Sequence, residues 1–309
     1  MKHMISIMIG AAAFVAGAAI ATKAQAGIDV FACEPEWAAL TQELGGDKVS
    51  IYTATTARQD PHQIQARPSL IAKAHAADLT VCSGAELEVG WMPMVLRQAT
   101  NPKILPGAPG DFEAAKNVRL LEIPTRLDRA DGDVHASGNP HIQTDPRNIF
   151  AVAKPLADRL AQIDPANGAF YQSRYEAFAK KWTEAMARWV EKAAPMKGAP
   201  VAVQHKNWVY LFDWLGLQET VALEPKPGVP PTSGYLSEVV QKVRAQPVRM
   251  VIRAAYEDGR ASDFLKDQAK VPEVVLPFTV GGTPGASDLF GLYEDTVNRL
   301  LEGFNASGH

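Results

Sequence analysis

DPANGAFYQSRYEAFAKKWTEAMARWVEK, residues 164–192, decides how the rest of the chain is read. Asp164 and Pro165 have the chemistry of a helix start: a capping carboxylate, then a ring whose fixed φ suits the first helical position. From there to Lys192 no further proline occurs, and the only glycine is Gly168. Phe170, Tyr171, Tyr175, Phe178, Trp182, Met186 and Trp189 recur every three or four residues, which draws one apolar stripe down a helix. About 28 residues at 1.5 Å each run roughly 40 Å, enough to cross a two-domain molecule. An aromatic stripe at this spacing reads as packing, not as a cofactor site.

On both sides of this helix, strand-like and helix-like segments alternate. Before it, Ile28 to Cys33, Val49 to Thr53 and Leu79 to Cys82 are short apolar runs. Helical stretches from Pro35 to Leu44 and from Pro68 to Ala77 separate them, and Gly45-Gly46-Asp47 ends the first. After it, Val201 to Val203, Val248 to Arg253 and Val274 to Leu276 read as strands. Trp208 to Leu215 and the chain from Ser287 onward read as helices, and the proline-rich stretch Glu224 to Thr232 as a loop. Strands alternating with helices imply parallel sheets covered on both faces. The expected fold is therefore α/β, two lobes joined by a single long, stiff helix. Residues 27–163 form the first lobe, 164–193 the linking helix and 194–309 the second lobe.

Residues 1–26 stand apart. Lys2 and His3 open a basic stretch, Ile5 to Ile20 is almost wholly apolar and small, and Ala24-Gln25-Ala26 has the small-x-small pattern of a cleavage site. They are expected to be a cleaved export signal, so the mature chain is periplasmic. The apolar run is short and rich in alanine and glycine for a membrane anchor. Without these residues 29 basic side chains face 34 acidic ones, which argues against nucleic acid as a partner. Cys33 and Cys82 both stand late in strand-like runs. In an oxidising compartment they are expected to pair, two free buried thiols being the alternative.

Four residues stand at or just beyond the ends of expected strands. His62 lies in Asp60-Pro61-His62, His141 in Gly138-Asn139-Pro140-His141, His205 directly after Val201 to Gln204, and Asp288 at the start of the last helix. In open α/β sheets, ligands gather beyond the carboxyl ends of the strands. Two of the four fall in each lobe, so the cleft between lobes is where they can meet. The prolines before His62 and His141 stiffen the backbone that presents them. Taken singly, each histidine reads as an ordinary polar loop residue. The joint placement carries the argument, because no compact local motif is present. Of the other histidines, His75 reads as a helix surface residue.

These segments, together with Pro68, Ala77-Asp78-Leu79, Gly84 to Glu88, Asp145-Pro146 and Trp208 to Gly216, resemble the zinc- and manganese-binding receptors of ABC transporters that have a rigid helical backbone. The segment Asp128 to His135 resembles the AztC-type zinc receptors in particular. The resemblance implies that His62, His141, His205 and Asp288 ligate a transported zinc ion in the interlobe cleft. It also implies that a membrane permease receives the ion, and that the chain is a monomer without enzymatic activity. His135, among aspartates and glycines, reads as part of a solvated acidic loop; the resemblance adds a loop that takes metal from a periplasmic metallochaperone. One departure stands out: many relatives carry a Glu where this chain has Ile252-Arg253-Ala254-Ala255. Three imidazoles and one carboxylate suit zinc better than manganese, which prefers oxygen donors. The rival readings are a manganese receptor of the same family, a zinc hydrolase using Glu224 or Glu257 as base, and a receptor for a chelate or haem. The hydrolase would need an open coordination position.

Overall fold

The computed structural model describes residues 27–128, 130 and 132–307; the expected export signal at residues 1–26 lies outside them. In chain order the first lobe runs β1 (Ile28–Ala32), α1 (Pro35–Gly45), β2 (Val49–Thr53), α2 (Pro68–Ala76), β3 (Leu79–Cys82), α3 (Met92–Ala99) and β4 (Asp111–Glu113). Two helices follow, α4 (Pro146–Ile163) and α5 (Gly168–Ala193). The second lobe runs β5 (Pro200–Val203), α6 (Val209–Leu215), β6 (Gln218–Ala222), α7 (Ser233–Ala245), β7 (Met250–Ala254), α8 (Arg260–Ala269), β8 (Glu273–Leu276) and α9 (Leu289–Ala306). Each lobe has one four-stranded sheet, ordered β2-β1-β3-β4 and β6-β5-β7-β8, and every pairing is parallel. The two-lobed α/β architecture expected from the alternating pattern is what the chain adopts.

The helical backbone differs in detail from the sequence reading. A short 3-10 turn at Pro165–Asn167 precedes α5, and α4 packs alongside it. Asp164 ties the corner together: its Oδ2 accepts from Asn167 Nδ2 at 2.6 Å and from the Tyr171 hydroxyl at 2.9 Å. The aromatic stripe of α5 does pack. Tyr171, Phe178, Trp182 and Trp189 are fully buried, and the Trp182 ring lies 4.8 Å from Phe290 and 5.4 Å from Tyr293, both on α9. At its other end α5 holds the first lobe, where Arg174 Nε donates to the Glu43 carbonyl at 2.8 Å.

One apolar core runs without interruption from Trp37 and Leu40 in the first lobe, along α4 and α5, to Ile252 and Tyr293 in the second. Separate smaller cores lie under α2 and α3 and under α7 and α8, on the far faces of the two sheets. A close-packed core shared by both lobes resists hinge bending, because opening it would expose apolar surface at about 25 cal/mol per Å2. Thr279 of the second lobe adds a polar tie by donating to Glu36 Oε2 of the first. Cys33 and Cys82, at the ends of neighbouring parallel strands β1 and β3, form a disulfide. No helix among the described residues is long and apolar enough to cross a membrane.

Candidate metal centre

Local chemistry delivers each histidine to the same end of the molecule. After β2, Asp60 Oδ1 accepts from the His62 backbone N–H at 3.0 Å, and Trp91 Nε1 donates to the Pro61 carbonyl at 3.0 Å, so the loop is clamped on both sides. His141 is 2% exposed; Asn139 Oδ1 accepts its backbone N–H at 3.0 Å, and its carbonyl takes the Thr144 hydroxyl at 2.9 Å. His205 follows β5 directly. Asn139 Nδ2 donates to the Lys206 carbonyl at 3.0 Å, which fastens the His141 loop of one lobe to the His205 loop of the other.

The three rings converge. The His62 ring lies 5.1 Å from His141 and 6.3 Å from His205, and His141 lies 6.0 Å from His205. A fourth imidazole joins them: His135 lies 5.3 Å from His62. Its loop is held by Ala136 N donating to Glu86 Oε2 at 2.6 Å and by Asp133 N donating to the Pro227 carbonyl at 3.0 Å. His62 Nε2, His135 Nε2 and His141 Nδ1 are buried without a hydrogen-bond partner among the described residues. Buried polar atoms are normally satisfied, so three orphaned ring nitrogens in one place mark a site built for a further ligand. His62 and His205 lie on a hollow of about 720 Å3, and His135, His141 and His205 on an adjoining one of about 280 Å3.

Carboxylates stand behind two of the rings. Asp60 Oδ1 meets His62 Nδ1 at 2.8 Å, and Glu224 Oε2 meets His205 Nδ1 at 2.7 Å. Such pairing fixes the tautomer and leaves Nε2 as the donor atom, the usual support of a metal-ligating histidine. Burial works against the Asp60 carboxylate, but its hydrogen bond and charge pairing with His62 outweigh it and hold the group below the usual range. Burial opposes protonation of His205 too; the Glu224 hydrogen bond and the charges of Glu224, Glu257 and Asp60 overcome it and raise the group. His141 is driven well below the ordinary histidine value, by burial first and then by the other imidazoles. His135 is pushed down to about 4, again chiefly by burial and then by His62. Both are neutral, metal-competent donors at pH 7.

Asp288, expected as the carboxylate of the set, is engaged at the start of α9. It is exposed, it lines neither hollow, and its Oδ1 accepts the Gly291 backbone N–H at 2.7 Å as the N-cap of α9. The cap engages one of its two carboxylate oxygens. The sequence reading missed Asp60 and Glu224 as ring partners, and it left His135 in a solvated loop. Glu257, which the sequence offered only as a base for the hydrolase reading, lies beside the site. That carboxyl folds back onto the turn after β7, accepting from Ala254 N at 2.7 Å and from Asn207 Nδ2 at 3.2 Å, and burial raises it to about 7. His75 stays apart from the group, with Nδ1 at 2.7 Å from the Ala99 carbonyl.

The four imidazoles are grouped at ring-contact distance. Among the described residues, no three histidine or carboxylate donor atoms of this group fall within 4.8 Å of one another; the set that does is Cys33, Cys82 and Glu88, whose two sulfurs are bonded to each other. Side-chain rotation must therefore close the histidine set around a single ion.

Comparison with known proteins bears on this geometry. The family model ZnuA, zinc-uptake complex component A periplasmic, matches residues 30–303. Relatives include the manganese ABC transporter substrate-binding lipoprotein PsaA of Streptococcus pneumoniae, 21% identical over 275 residues that cover 86% of this chain and 85% of PsaA. The metal ABC transporter substrate-binding lipoprotein ScbA of Streptococcus cristatus is 24% identical, with 90% and 89% covered. Among solved structures, that of ZnuA superposes with a TM-score of 0.72 at 19% identity, covering 88% of this chain and 98% of that one. The solute-binding protein FpvC from Pseudomonas aeruginosa in complex with Mn2+ gives 0.73 at 19% identity, covering 91% and 100%.

Proposed function

The chain belongs to the ZnuA family of metal-binding receptors that serve ABC transporters, and from that premise we propose that its cargo is Zn(II), held by His62, His141 and His205 with His135 as the fourth donor. Family members are solute-binding proteins and not enzymes, and their partners are a metal ion and a transporter permease. The observation that carries the zinc reading is the meeting of four imidazoles, three with orphaned buried nitrogens, backed by Asp60 and Glu224. Nitrogen-rich, four-coordinate surroundings favour zinc.

Neutral ring nitrogens would bind the ion at about 2.0–2.1 Å. Four protein ligands leave no open position for a reactive water, so the site captures and releases without bond-making chemistry. The shared core restrains the lobes, and loading is expressed in the loops that carry His62, His135 and His205. The mature chain works as a periplasmic monomer after loss of residues 1–26, and the segment from Asp128 to His135 is the contact for a metallochaperone. Manganese is the second reading, favoured by relatives named for that metal and by the buried oxygen donor of Glu257.

Calorimetric titration of zinc into apo protein, repeated with manganese as competitor, tests the assignment. Zinc is expected to bind one per chain and to resist manganese, and His141→Ala to lose at least about 100-fold in affinity. Unchanged affinity in that variant would defeat the reading.

A further inference from the structure

A second group of metal-competent side chains lies in the first lobe and shares no residue with the histidines. β1 and β3 are adjacent and parallel, and Cys33 and Cys82 stand where their carboxyl ends meet. Both sulfurs and a carboxylate oxygen of Glu88 lie within 4.8 Å of one another, and all three residues are buried. Glu88 is held in place by Ser83 N at 2.8 Å and by Gly84 N at 3.1 Å. Glu34, the residue after Cys33, is 3% exposed; its Oε2 accepts from Ser83 N and Oγ at 3.4 Å, and its Oε1 has no hydrogen-bond partner among the described residues. A hydrophobic interior with crowded carboxyls is an expensive arrangement unless a cation can be received there. A hollow of about 270 Å3, lined by Cys82, Gly84, Glu86, Glu88, Asp111 and Glu113, opens on this edge. Lys116 pairs Glu113 on this wall at 3.0 Å, and the carboxylates of Glu86 and Glu88 line an entry path for a cation.

A disulfide sulfur is not a metal ligand, whereas a thiolate is. We propose that the dithiol form of this chain carries a second zinc site, with Cys33 and Cys82 as thiolate ligands and Glu88 as the carboxylate ligand. Zinc occupancy and the disulfide exclude each other. A protein dithiol reductant opens the site: the Cys33–Cys82 bond takes two electrons and two protons, and the reductant becomes a disulfide. Zinc then displaces the two thiol protons to solvent and forms two Zn–S bonds and one Zn–O bond. Water from the hollow fills the fourth position of the tetrahedron. A chain entering an oxidising compartment passes through the dithiol form before the bond closes. Metal taken up at that stage delays closure.

The mature chain, reduced with a phosphine that is then removed anaerobically, is loaded with zinc beside an oxidised sample, and bound metal is counted after gel filtration. Two zinc ions per reduced chain and one per oxidised chain are expected. Cobalt(II) in place of zinc should show sulfur-to-metal charge transfer only in the reduced sample. Reduced His141→Ala retains the sulfur-bound ion, which separates this site from the histidine reading. Zinc should slow reoxidation of the dithiol at least about tenfold in the native sequence, and less than about twofold in Glu88→Gln. Equal zinc counts in the two redox states, cobalt without a sulfur band, or reoxidation unaffected by zinc would each overturn the proposal.

Discussion

Glu224→Ala probes the reasoning most directly, because it removes a group that touches no metal in the proposed site. Glu224 Oε2 meets His205 Nδ1 at 2.7 Å and accepts from Gly228 N at 2.8 Å, so the variant unties both the ring and the loop beside it. Loss of an outer partner of a ligating histidine costs about 10–100-fold in metal affinity. With two bonds removed, the upper half of that range is expected, about 2.1–2.8 kcal/mol at 1.4 kcal/mol per tenfold. The pH dependence carries a second signature. His205 is raised because Glu224 and other carboxylates overcome its burial; without Glu224, burial gains weight and the group falls. Only neutral His205 binds zinc, so the native chain begins to lose affinity at a higher pH than the variant does. The affinity ratio is therefore largest at neutral pH and narrows on acidification. Competition against a chromogenic chelator at about pH 7.5 and pH 6 reads both effects on either side of the histidine range. A ratio under about threefold at neutral pH, or one that widens as pH falls, would refute the assignment of Glu224 as the support of His205.

Other consequences are equally open to measurement. Asp288→Ala should cost about 1 kcal/mol of stability through the lost cap of α9 and leave zinc affinity within about threefold; a larger affinity loss restores Asp288 as a ligand. Trp182→Ala removes the indole that lies between α5 and α9 and donates to the Pro146 carbonyl at 2.9 Å, so urea unfolding should show a loss of about 3–5 kcal/mol. A loss below about 1 kcal/mol would contradict the shared core. Glu36, buried at the tie to Thr279, is raised from 4.5 to about 7, chiefly by burial. The folded state binds its proton more tightly than the unfolded chain, so its contribution is full below 4.5 and is lost as pH rises through about 7. Glu36→Gln should remove about 3 kcal/mol of pH-dependent stability across that window, read from urea midpoints at its two ends. Equal slopes in the native and Gln proteins would dispose of the buried-carboxyl account.

Much of the fold was legible because it is written in local periodicity. The α5 stripe, the apolar runs of β1, β3 and β5, and the proline starts of α1 and α2 all survive into the structure. β4 and β6 were not anticipated, since they are edge strands with partly polar, partly exposed residues and lack an apolar run. α4 was missed although Ile149, Val152, Ala153, Leu156, Ala157 and Leu160 form a buried stripe, because Pro155 interrupts its middle.

The candidate site divides along the same line. Backbone chemistry around Pro61, Asn139 and β5 is local, so His62, His141 and His205 could be singled out from sequence, although only His205 stands directly after a strand and His141 lies in the turn before α4. Whether a side chain then turns into the cleft or back onto its own helix is an energetic choice between partners distant in the chain. Asp288 satisfies an amide three residues ahead of it, while His135 swings toward His62 because Glu86 and Pro227 hold its loop. Periodicity follows from bonds between near neighbours and can be read along the chain. The donor set follows from contacts across tens to hundreds of residues, which exist only once the two sheets have packed on their common helices.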